Sequence, residues 1–437
     1  MKSARTAVVL SVCVALMPAL CPVGGVFAGE QGAKMTVIRN VRIVSVEGDD
    51  IPRGTIVIRD GLIESVGPDA AAPAGVEVID GADLIAYPGM IDAYSSLGLV
   101  EISGVQATID NRETGRFNPQ VRSLEALRYD SMHIPIARSN GITAALLAPS
   151  GGVISGQSCL IRLDGWTNRE MAVKHPAALH IELPGIRRGR GGFQRPGAAQ
   201  QAVDTPKILE ELAGLFKAAR LYEKRLSAAQ ADIKLSLPEF DEISTSLLPL
   251  LHGRMPAVIS VHSDRDIKAV LAFVREQNIK AILYGAEQGW KVADEIAKAG
   301  VPVIIGSLYD LPPVFEDGYD SLFRNPGLLA AAGVRIAFSS SSASAAKDLP
   351  YHAAKAAAFG LDRKEALRAV TINPARIFGV DGLVGSIEKG KAADIVLADD
   401  DILEFRANVK YVFIKGKKVD LSTRYTELLE KFKKRGK

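Results

Sequence analysis

Cysteine is scarce in this chain of 437 residues, which contains only three. Cys13 and Cys21 lie in the apolar N-terminal segment, so Cys159 stands alone in the remainder. A single cysteine cannot form an intramolecular disulfide, and a disulfide-stapled fold is therefore excluded for a chain without that segment. Cys159 lies in an apolar, strand-like stretch, residues 158–163, and is interpreted as a small buried hydrophobic residue.

The chain also lacks an excess of charge of either sign, with 53 basic and 50 acidic residues and a formal net charge of +3. Removal of Lys2 and Arg5 with the N-terminal segment would lower that charge by two, to +1. Such a balance argues against nucleic acid or an acidic membrane surface as the main partner. Hydrophobic residues make up 47% and charged residues 24%, a composition that is ordinary for a globular protein.

Beyond residue 28 the sequence has no apolar run long enough to span a bilayer. The first 28 residues are different, because Lys2 and Arg5 precede an apolar stretch that extends from residue 6 to about residue 20. Val26-Phe27-Ala28 then provides the small residues of a cleavage site. This layout predicts a secretory signal peptide, residues 1–28, and a periplasmic or secreted mature protein.

Two other interpretations of the N-terminal segment are weaker. Pro18 and Pro22 interrupt the apolar stretch, which falls short of the ~20 residues that a transmembrane anchor requires. Cys13 and Cys21 each follow a bulky residue, which argues against a lipoprotein. About 409 residues then remain, enough for one large α/β barrel with an accessory domain.

Both ends of the mature chain show strand patterns. Residues 41–46, 55–58 and 62–66 alternate apolar and polar side chains, and Asp60-Gly61 is a strong hairpin signal. Residues 393–397 and 409–414 show strand patterns near the C-terminus as well, and a tight turn is expected at Lys415-Gly416. These patterns predict a small β-sandwich domain built from both termini, residues 29–86 and 379–421.

The middle of the chain, residues 87–378, alternates apolar strand segments with helical patterns such as residues 267–277 and 290–299. This alternation predicts a parallel sheet, and the number of repeats favours a closed (β/α)8 TIM-like barrel, an α/β fold. An eighth strand is expected in the long insertion between Leu183 and Pro256. Seven strands are assigned directly, to residues 89–94, 142–148, 177–183, 257–261, 281–283, 301–305 and 334–338.

Two further segments have simple interpretations. Residues 187–197 are rich in Arg and Gly and are interpreted as a flexible surface loop, with an anion-binding lid as the alternative. Residues 422–437 are predicted to form a C-terminal helix. Its apolar side chains share one face, which we expect to dock on the sheet: Tyr425, Leu428, Leu429 and Phe432.

Several motifs occur in a fixed order along the chain. Tyr87-Pro-Gly-Met-Ile-Asp-Ala-Tyr94 directly follows the first β segment. In this order, the motifs resemble those of the amidohydrolase superfamily, specifically its imidazolonepropionase-like branch with a composite β domain. The resemblance covers roughly residues 36–420. The later motifs are Gly141-Ile-Thr143, Val261-His262, residues 289–293 and 299–303, Thr371-Ile-Asn-Pro-Ala375 and residues 385–394.

The resemblance implies one or two divalent metal ions at the C-terminal mouth of the barrel. The family's ligands are a His pair after strand one, sometimes a carboxylated Lys, a His after each of strands five and six, and an Asp after strand eight. The metal ion lowers the pKa of a bound water, and the Asp accepts its proton. In this chain those positions are occupied by Tyr94, Ser96, His262, Gly285 and Ser341.

His262 is thus the only family ligand that is retained, and no lysine is assigned to strand four. A catalytic zinc ion uses three protein ligands, so the sequence predicts no metal cofactor and no catalytic residue of the family type. The Gly151-Gly-Val-Ile-Ser155 segment does not match a nucleophile elbow. The serine run at residues 339–342 has no evident His partner in the sequence and is interpreted as a polar pocket wall.

The same barrel mouth defines a candidate binding pocket. His180, Glu182, His262 and Asp264 could form a relocated metal site if their strands converge, whereas ordinary hydrogen-bonded polar side chains are the alternative. The full candidate set is Tyr94, Ser96, His180, Glu182, His262, Asp264, Tyr284 and Ser341.

Three hypotheses about function follow from these residues. The first is a pseudo-hydrolase or small-molecule-binding barrel whose metallohydrolase site is largely lost. The second is an active amidohydrolase that acts on non-peptide C–N bonds through an atypical or mononuclear metal site. The third is an inactive subunit that partners an intact relative. The expected partners are a small-molecule ligand and further copies of this chain or of an intact relative. Nucleic acid is not expected as a partner, and no membrane span is expected.

Overall fold

The computed structural model describes residues 35–68, 70, 76–183, 204–312 and 315–436. The predicted signal peptide and the Arg- and Gly-rich segment, residues 187–197, lie outside the described residues. The chain begins with five strands of an accessory sheet: β1 (Met35–Ile43), β2 (Ile51–Arg59), β3 (Leu62–Gly67), β4 (Glu77–Asp80) and β5 (Ile85–Pro88).

The barrel follows directly, and its eight strands hydrogen-bond in sequence order, from β6 to β13. Ser341 lies just beyond β13, and its N–H donates to the carbonyl of Tyr94 in β6 (3.0 Å), which joins the last strand to the first and nearly closes the barrel. The predicted TIM-like fold is therefore confirmed. The strands are β6 (Met90–Ser95), β7 (Ile142–Leu147), β8 (Ile154–Arg162), β9 (Ala172–Glu182), β10 (Ala257–Val261), β11 (Ala281–Gly285), β12 (Val303–Ile305) and β13 (Ile336–Phe338).

The predicted position of the eighth strand is wrong. That strand is β8, which precedes the insertion and runs antiparallel to both β7 and β9. Only six residues separate β7 from β8, and a parallel connection needs a crossover of roughly a dozen. Gly151 (φ 93°) and Gly152 (φ 75°) make the short turn possible. A Cβ on Gly152 would lie 2.8 Å from the Arg116 carbonyl oxygen, so this approach requires glycine.

The described part of the insertion, residues 204–256, is mainly helical. Asp204 begins its long first helix by accepting a hydrogen bond from the Lys207 N–H (3.3 Å). The α-helices within the described residues are α1 (His133–Arg138), α2 (Asn168–Met171), α3 (Thr205–Ala231), α4 (Glu242–Leu251), α5 (Asp264–Gln277), α6 (Ala293–Ala299), α7 (Ser321–Ala331), α8 (Leu349–Ala358), α9 (Arg363–Arg368), α10 (Ile372–Ile377) and α11 (Arg424–Lys433).

The C-terminal strands β14 (Ile395–Ala398), β15 (Val409–Ile414) and β16 (Lys417–Lys418) complete the accessory sheet through the antiparallel pair β5–β14. The predicted hairpin turn is confirmed, since Arg59 pairs with Leu62 around Asp60 (φ 50°) and Gly61 (φ 85°). A Cβ on Gly61 would lie 2.8 Å from the Lys415 carbonyl oxygen. The turns from the two ends of the chain therefore pack directly against each other.

Asp394, from the C-terminal family motif, has a structural role. Its Oδ2 accepts a hydrogen bond from Arg162 Nε (3.1 Å) and its Oδ1 accepts one from the Lys415 N–H (2.7 Å). Arg162 ends β8, and both charged side chains are largely buried. The ion pair thus ties the barrel to the C-terminal part of the accessory sheet.

The expected docking of the C-terminal helix is wrong. α11 forms as predicted, but none of its residues is buried. The side chains of Tyr425, Leu429 and Phe432 are each more than half exposed.

Candidate functional site at the barrel mouth

Asp92, near the end of β6, links the first barrel strand to the last. Its fully buried carboxylate accepts hydrogen bonds from the Ser340 backbone N–H (2.9 Å) and from the Ser340 hydroxyl. Burial raises the pKa of Asp92 to about 6, although the bonds from Ser340 oppose that rise. The pair lies where β6 meets the segment after β13, and it helps to close the barrel.

Two tyrosine rings fill the interior of the mouth. The rings of Tyr94 and Tyr284 stack with centroids 3.7 Å apart and planes 3° from parallel. The Tyr284 hydroxyl donates to Ser341 Oγ (2.9 Å). The resemblance assigns Tyr94 to the first His position and Ser341 to the Asp position. Tyr94 is part of the aromatic stack, and Ser341 accepts a hydrogen bond from it.

The remaining serines of the mouth form hydrogen bonds to backbone and to one another. Ser96 Oγ accepts from the Ala343 N–H (3.0 Å), and Ser339 Oγ donates to the Ile305 carbonyl (2.8 Å). Ser339 and Ser341 hydroxyls lie 3.2 Å apart. This network satisfies polar groups that would otherwise be costly to bury, as expected of a packed polar wall.

His180 of β9 belongs to the same cluster. Its ring centroid lies 5.4 Å from that of Tyr94, and the side chain is almost fully buried. Among the described residues, Nε2 of His180 has no hydrogen-bond partner. Burial lowers the pKa of His180 to about 3, so the imidazole is neutral at physiological pH.

The opposite side of the mouth carries a His–Glu pair. His262 follows β10, and its Nδ1 lies 2.8 Å from Oε2 of Glu287, which follows β11. The two side chains are 25% and 24% exposed. Because an ionised carboxylate only accepts hydrogen bonds, Nδ1 carries the proton in the neutral ring and Nε2 is its basic nitrogen.

Gly285, at the strand-six ligand position, makes room for this pair. A Cβ on Gly285 would lie 3.3 Å from each carboxylate oxygen of Glu287 and 3.1 Å from the Val261 carbonyl oxygen. The backbone there has φ 91°, which also favours glycine. A side chain at residue 285 would therefore compete with the Glu287 carboxylate for space.

The relocated metal site is not assembled by the described residues. Glu182 ends β9 beside Ser260, and Asp264 opens α5, where its N–H donates to Gln288 Oε1 (3.3 Å). Nowhere in the described ranges do three or more His, Cys, Asp or Glu side chains form a group that could hold a metal ion. The structure brings together Tyr94, His180, Tyr284 and Ser341 of the predicted set, without a ligand cluster around His262.

The donors at the five family positions do not fit a divalent metal ion. Tyr94 is stacked, Ser96 accepts a backbone N–H, Gly285 offers no side chain, and the hydroxyl of Ser341 accepts from Tyr284. His262 alone supplies an imidazole. A catalytic zinc site uses three protein ligands and an open fourth position, which this set does not provide.

One cavity of the described residues lies among the loops at this end of the barrel. It encloses about 770 Å³ between the loops that follow β6 and β7 and the first turns of α4. Arg112 and Arg122 line it together with Glu113, Glu125 and Glu242, whereas the eight predicted pocket residues are not among its lining side chains. This cavity is therefore separate from the predicted set of pocket residues.

Sequence reasoning did not single out Asp92 or Glu287, and it placed Ser340 only within a serine run at the pocket wall. Asp92 stands inside the Pro-Gly-Met-Ile-Asp motif, two residues before Tyr94, which places both side chains on one face of β6. Glu287 stands two residues after the end of β11, where a carboxylate in a loop at the mouth was an available signal. The contact between Asp92 and Ser340 joins residues 248 positions apart and left no local signal.

The barrel, its polar mouth and the sheet built from both chain ends define an amidohydrolase-type barrel with a composite β domain. A model of the amidohydrolase family matches residues 320–419. Over that segment the chain is similar to the amidohydrolase family, and its relatives include imidazolonepropionases.

The similarity to relatives and to solved structures extends over most of the chain. Adenine deaminase from Desulforamulus reducens is 23% identical over 93% of this chain, which spans only 60% of that protein's length. Imidazolonepropionase from Sphingopyxis alaskensis is 26% identical over 82% of this chain and 90% of its own. The fold is similar to that of an amidohydrolase from Thermotoga maritima, with a TM-score of 0.78 and 23% identity over 88% of this chain and 99% of that one.

Proposed function

We propose that this protein is a small-molecule-binding barrel that works without a divalent metal ion, a pseudo-hydrolase within its superfamily. The observation that carries the proposal is the donor set at the five family positions, where Tyr94, Ser96, Gly285 and Ser341 accompany a single imidazole. The stacked rings of Tyr94 and Tyr284 occupy the interior with side chains that pack against each other. This arrangement suits a filled core better than an ion with an open coordination site.

The cavity lined by Arg112 and Arg122 supports a binding role. Its volume of about 770 Å³ lies within the range of small-molecule pockets, ~300–1,000 Å³. Its lining carries guanidinium and carboxylate groups together, so a small polar ligand could be held by hydrogen bonds and ion pairs of both signs.

Elemental analysis of the purified protein tests the metal-independent proposal. After dialysis we expect substoichiometric zinc, manganese and iron, and the melting temperature should not change when a chelator is added. An imidazolonepropionase purified in parallel is the matched control. Stoichiometric metal that survives dialysis and disappears in His262→Ala would overturn the proposal.

A second candidate, hydrolysis of a non-peptide C–N bond, is favoured by the His262–Glu287 pair. Glu287 orients the ring so that Nε2 of His262 can accept a proton from an attacking water. The relatives named above are a deaminase and an imidazolonepropionase, which makes amide or amidine substrates the first to screen. Turnover that persists in chelator and is lost in both His262→Ala and Glu287→Gln would support this candidate.

Export is proposed on the N-terminal sequence alone, which lies outside the described residues. N-terminal sequencing of protein from envelope or culture fractions should begin near Gly29. Retention of Met1, or a lipid on Cys21, would contradict it.

Size-exclusion chromatography of the same material, with mass spectrometry of any co-purifying chain, tests the proposed homo- or hetero-oligomer.

A further inference from the structure

The C-terminal helix α11 presents an uncovered apolar stripe. None of its residues is buried, and Tyr425, Leu429 and Phe432 are 57%, 53% and 51% exposed. These residues are spaced four and three apart, so they lie along one side of the helix with the half-buried Leu428. A monomeric globular protein seldom leaves such a stripe uncovered without a partner.

Charges are sorted around this stripe. At about 100° per residue, Arg424, Lys431, Lys433 and Arg435 flank the apolar side, while Glu427, Glu430 and Lys434 fall on the far side. Lys433 Nζ also forms an ion pair with Glu430 Oε1 (2.8 Å). The Arg435 guanidinium lies 5.0 Å from the centroid of the Phe432 ring, which places a cation beside the apolar stripe. Residues 431–436 contain four basic side chains and no acidic one.

The helix is firmly attached at its base. Thr423 and Thr426 form a reciprocal capping box, and Thr423 is buried. The preceding Asp420 carbonyl accepts a hydrogen bond from Arg138 of α1 (3.2 Å). The apolar surface continues onto the body of the protein, because Tyr425 lines a cleft of about 340 Å³ with Phe405, which is 82% exposed.

A second copy of this chain would be a poor cover for the stripe. Two α11 helices meeting through their apolar sides would bring the flanking basic residues of both copies together, with the acidic residues facing away. An anionic lipid surface suits the same arrangement. Apolar and aromatic side chains insert at the headgroup boundary, and flanking Lys and Arg contact the anionic headgroups.

We propose that α11 docks this protein on an anionic phospholipid surface, with Tyr425, Leu429 and Phe432 inserted and Lys431, Lys433 and Arg435 against the headgroups. This is peripheral binding. None of the helices in the described part of the chain has the length and apolar character needed to cross a bilayer. The near-neutral charge of the whole chain argued against an acidic membrane, but residues 431–436 carry four basic side chains and no acidic one.

Vesicle flotation of the chain from residue 29 tests the proposal. The wild type should float with vesicles of phosphatidylglycerol and phosphatidylcholine and should not float with phosphatidylcholine alone. Loss of one inserted side chain in Phe432→Ser should weaken partitioning about tenfold. Each of Lys431→Gln and Lys433→Gln should weaken it about fivefold. The controls are Leu237→Ser and Lys224→Gln, which change exposed residues elsewhere and should have no effect.

Three results would overturn the proposal. The first is a wild-type protein that does not bind the anionic vesicles at low salt. The second is equal binding by the wild type and Phe432→Ser, with unchanged circular dichroism. The third is a dimer in size-exclusion chromatography that Phe432→Ser dissociates, because the stripe would then be covered by a second copy.

Discussion

The two sides of the barrel mouth differ in how deeply the polar side chains at the strand ends are buried. On the side of β6 and β13, Asp92, Tyr94 and Ser340 are buried and bonded to one another or to close neighbours. On the side of β10 and β11, His262 and Glu287 form a pair that is about one quarter exposed. The first side, together with the rings of His180 and Tyr284 that pack against Tyr94, is here called the closed seam and contributes to stability. The second retains an accessible titratable pair, which is where ligand contact or proton transfer is expected.

The strongest test of the closed seam removes one ring of the aromatic stack. Tyr284→Ala should lower the free energy of unfolding by about 4 kcal/mol, because it leaves a cavity beside Tyr94. Tyr284→Phe keeps the ring and loses only the bond to Ser341, so it should cost about 1 kcal/mol. Chemical denaturation measures both. Equal costs for the two variants would mean that the stack contributes little.

His180 should make the seam sensitive to acid. Its pKa in the folded state is about 3, below the unfolded value of 6.5, so folding favours the neutral ring. The contribution of the neutral His180 ring to the free energy of unfolding is therefore fully present above pH 6.5. It falls as the pH decreases toward 3, by about 3 kcal/mol at pH 4. His180→Phe removes this contribution and a buried ring nitrogen without a partner among the described residues. Denaturation curves from pH 7 to 4 should show a shallower loss for the variant, and parallel losses would contradict the prediction.

Asp92 should act in the opposite direction. Its pKa in the folded state, about 6, exceeds the unfolded value of 3.8, so folding favours the protonated carboxyl. Its stabilising contribution is complete below pH 3.8 and is lost as the pH rises through 6, a change of about 3 kcal/mol. The difference in unfolding free energy between wild type and Asp92→Asn should therefore change across pH 4–7. A constant difference would show that the carboxyl does not titrate within the seam.

Much of the fold could be predicted from local patterns. Asp60-Gly61 specified its hairpin, and apolar strands alternating with helices specified the barrel. The eighth strand was misplaced because β8 pairs antiparallel on both sides, an arrangement that the Gly151-Gly152 turn permits but that a repeating βα pattern does not predict. The docking of α11 was wrongly predicted because an amphipathic pattern identifies the apolar side of a helix but does not show which surface covers that side.

The site was predictable where a motif supplied a position. The family motifs located Tyr94, Ser96, His262, Gly285 and Ser341 along the chain. They did not give the contacts between strands distant in sequence, such as the stacking of Tyr94 on Tyr284. The motifs also did not show that Gly285, which has no side chain, makes room for the carboxylate of Glu287. That contact depends on the relative positions of β10 and β11.

The smallest effect is expected on the accessible side of the mouth. His262 and Glu287 are each partly exposed, so solvent screens their interaction. A double-mutant cycle with His262→Asn and Glu287→Gln should give a coupling energy of about 1 kcal/mol or less. The exposed pair Lys268–Glu295 (3.3 Å) is the control and should couple more weakly. Both cycles are measured at the same pH and ionic strength. A coupling of ~3 kcal/mol, the scale of a buried pair, would place this pair within the packed core and remove the distinction between the two sides of the mouth.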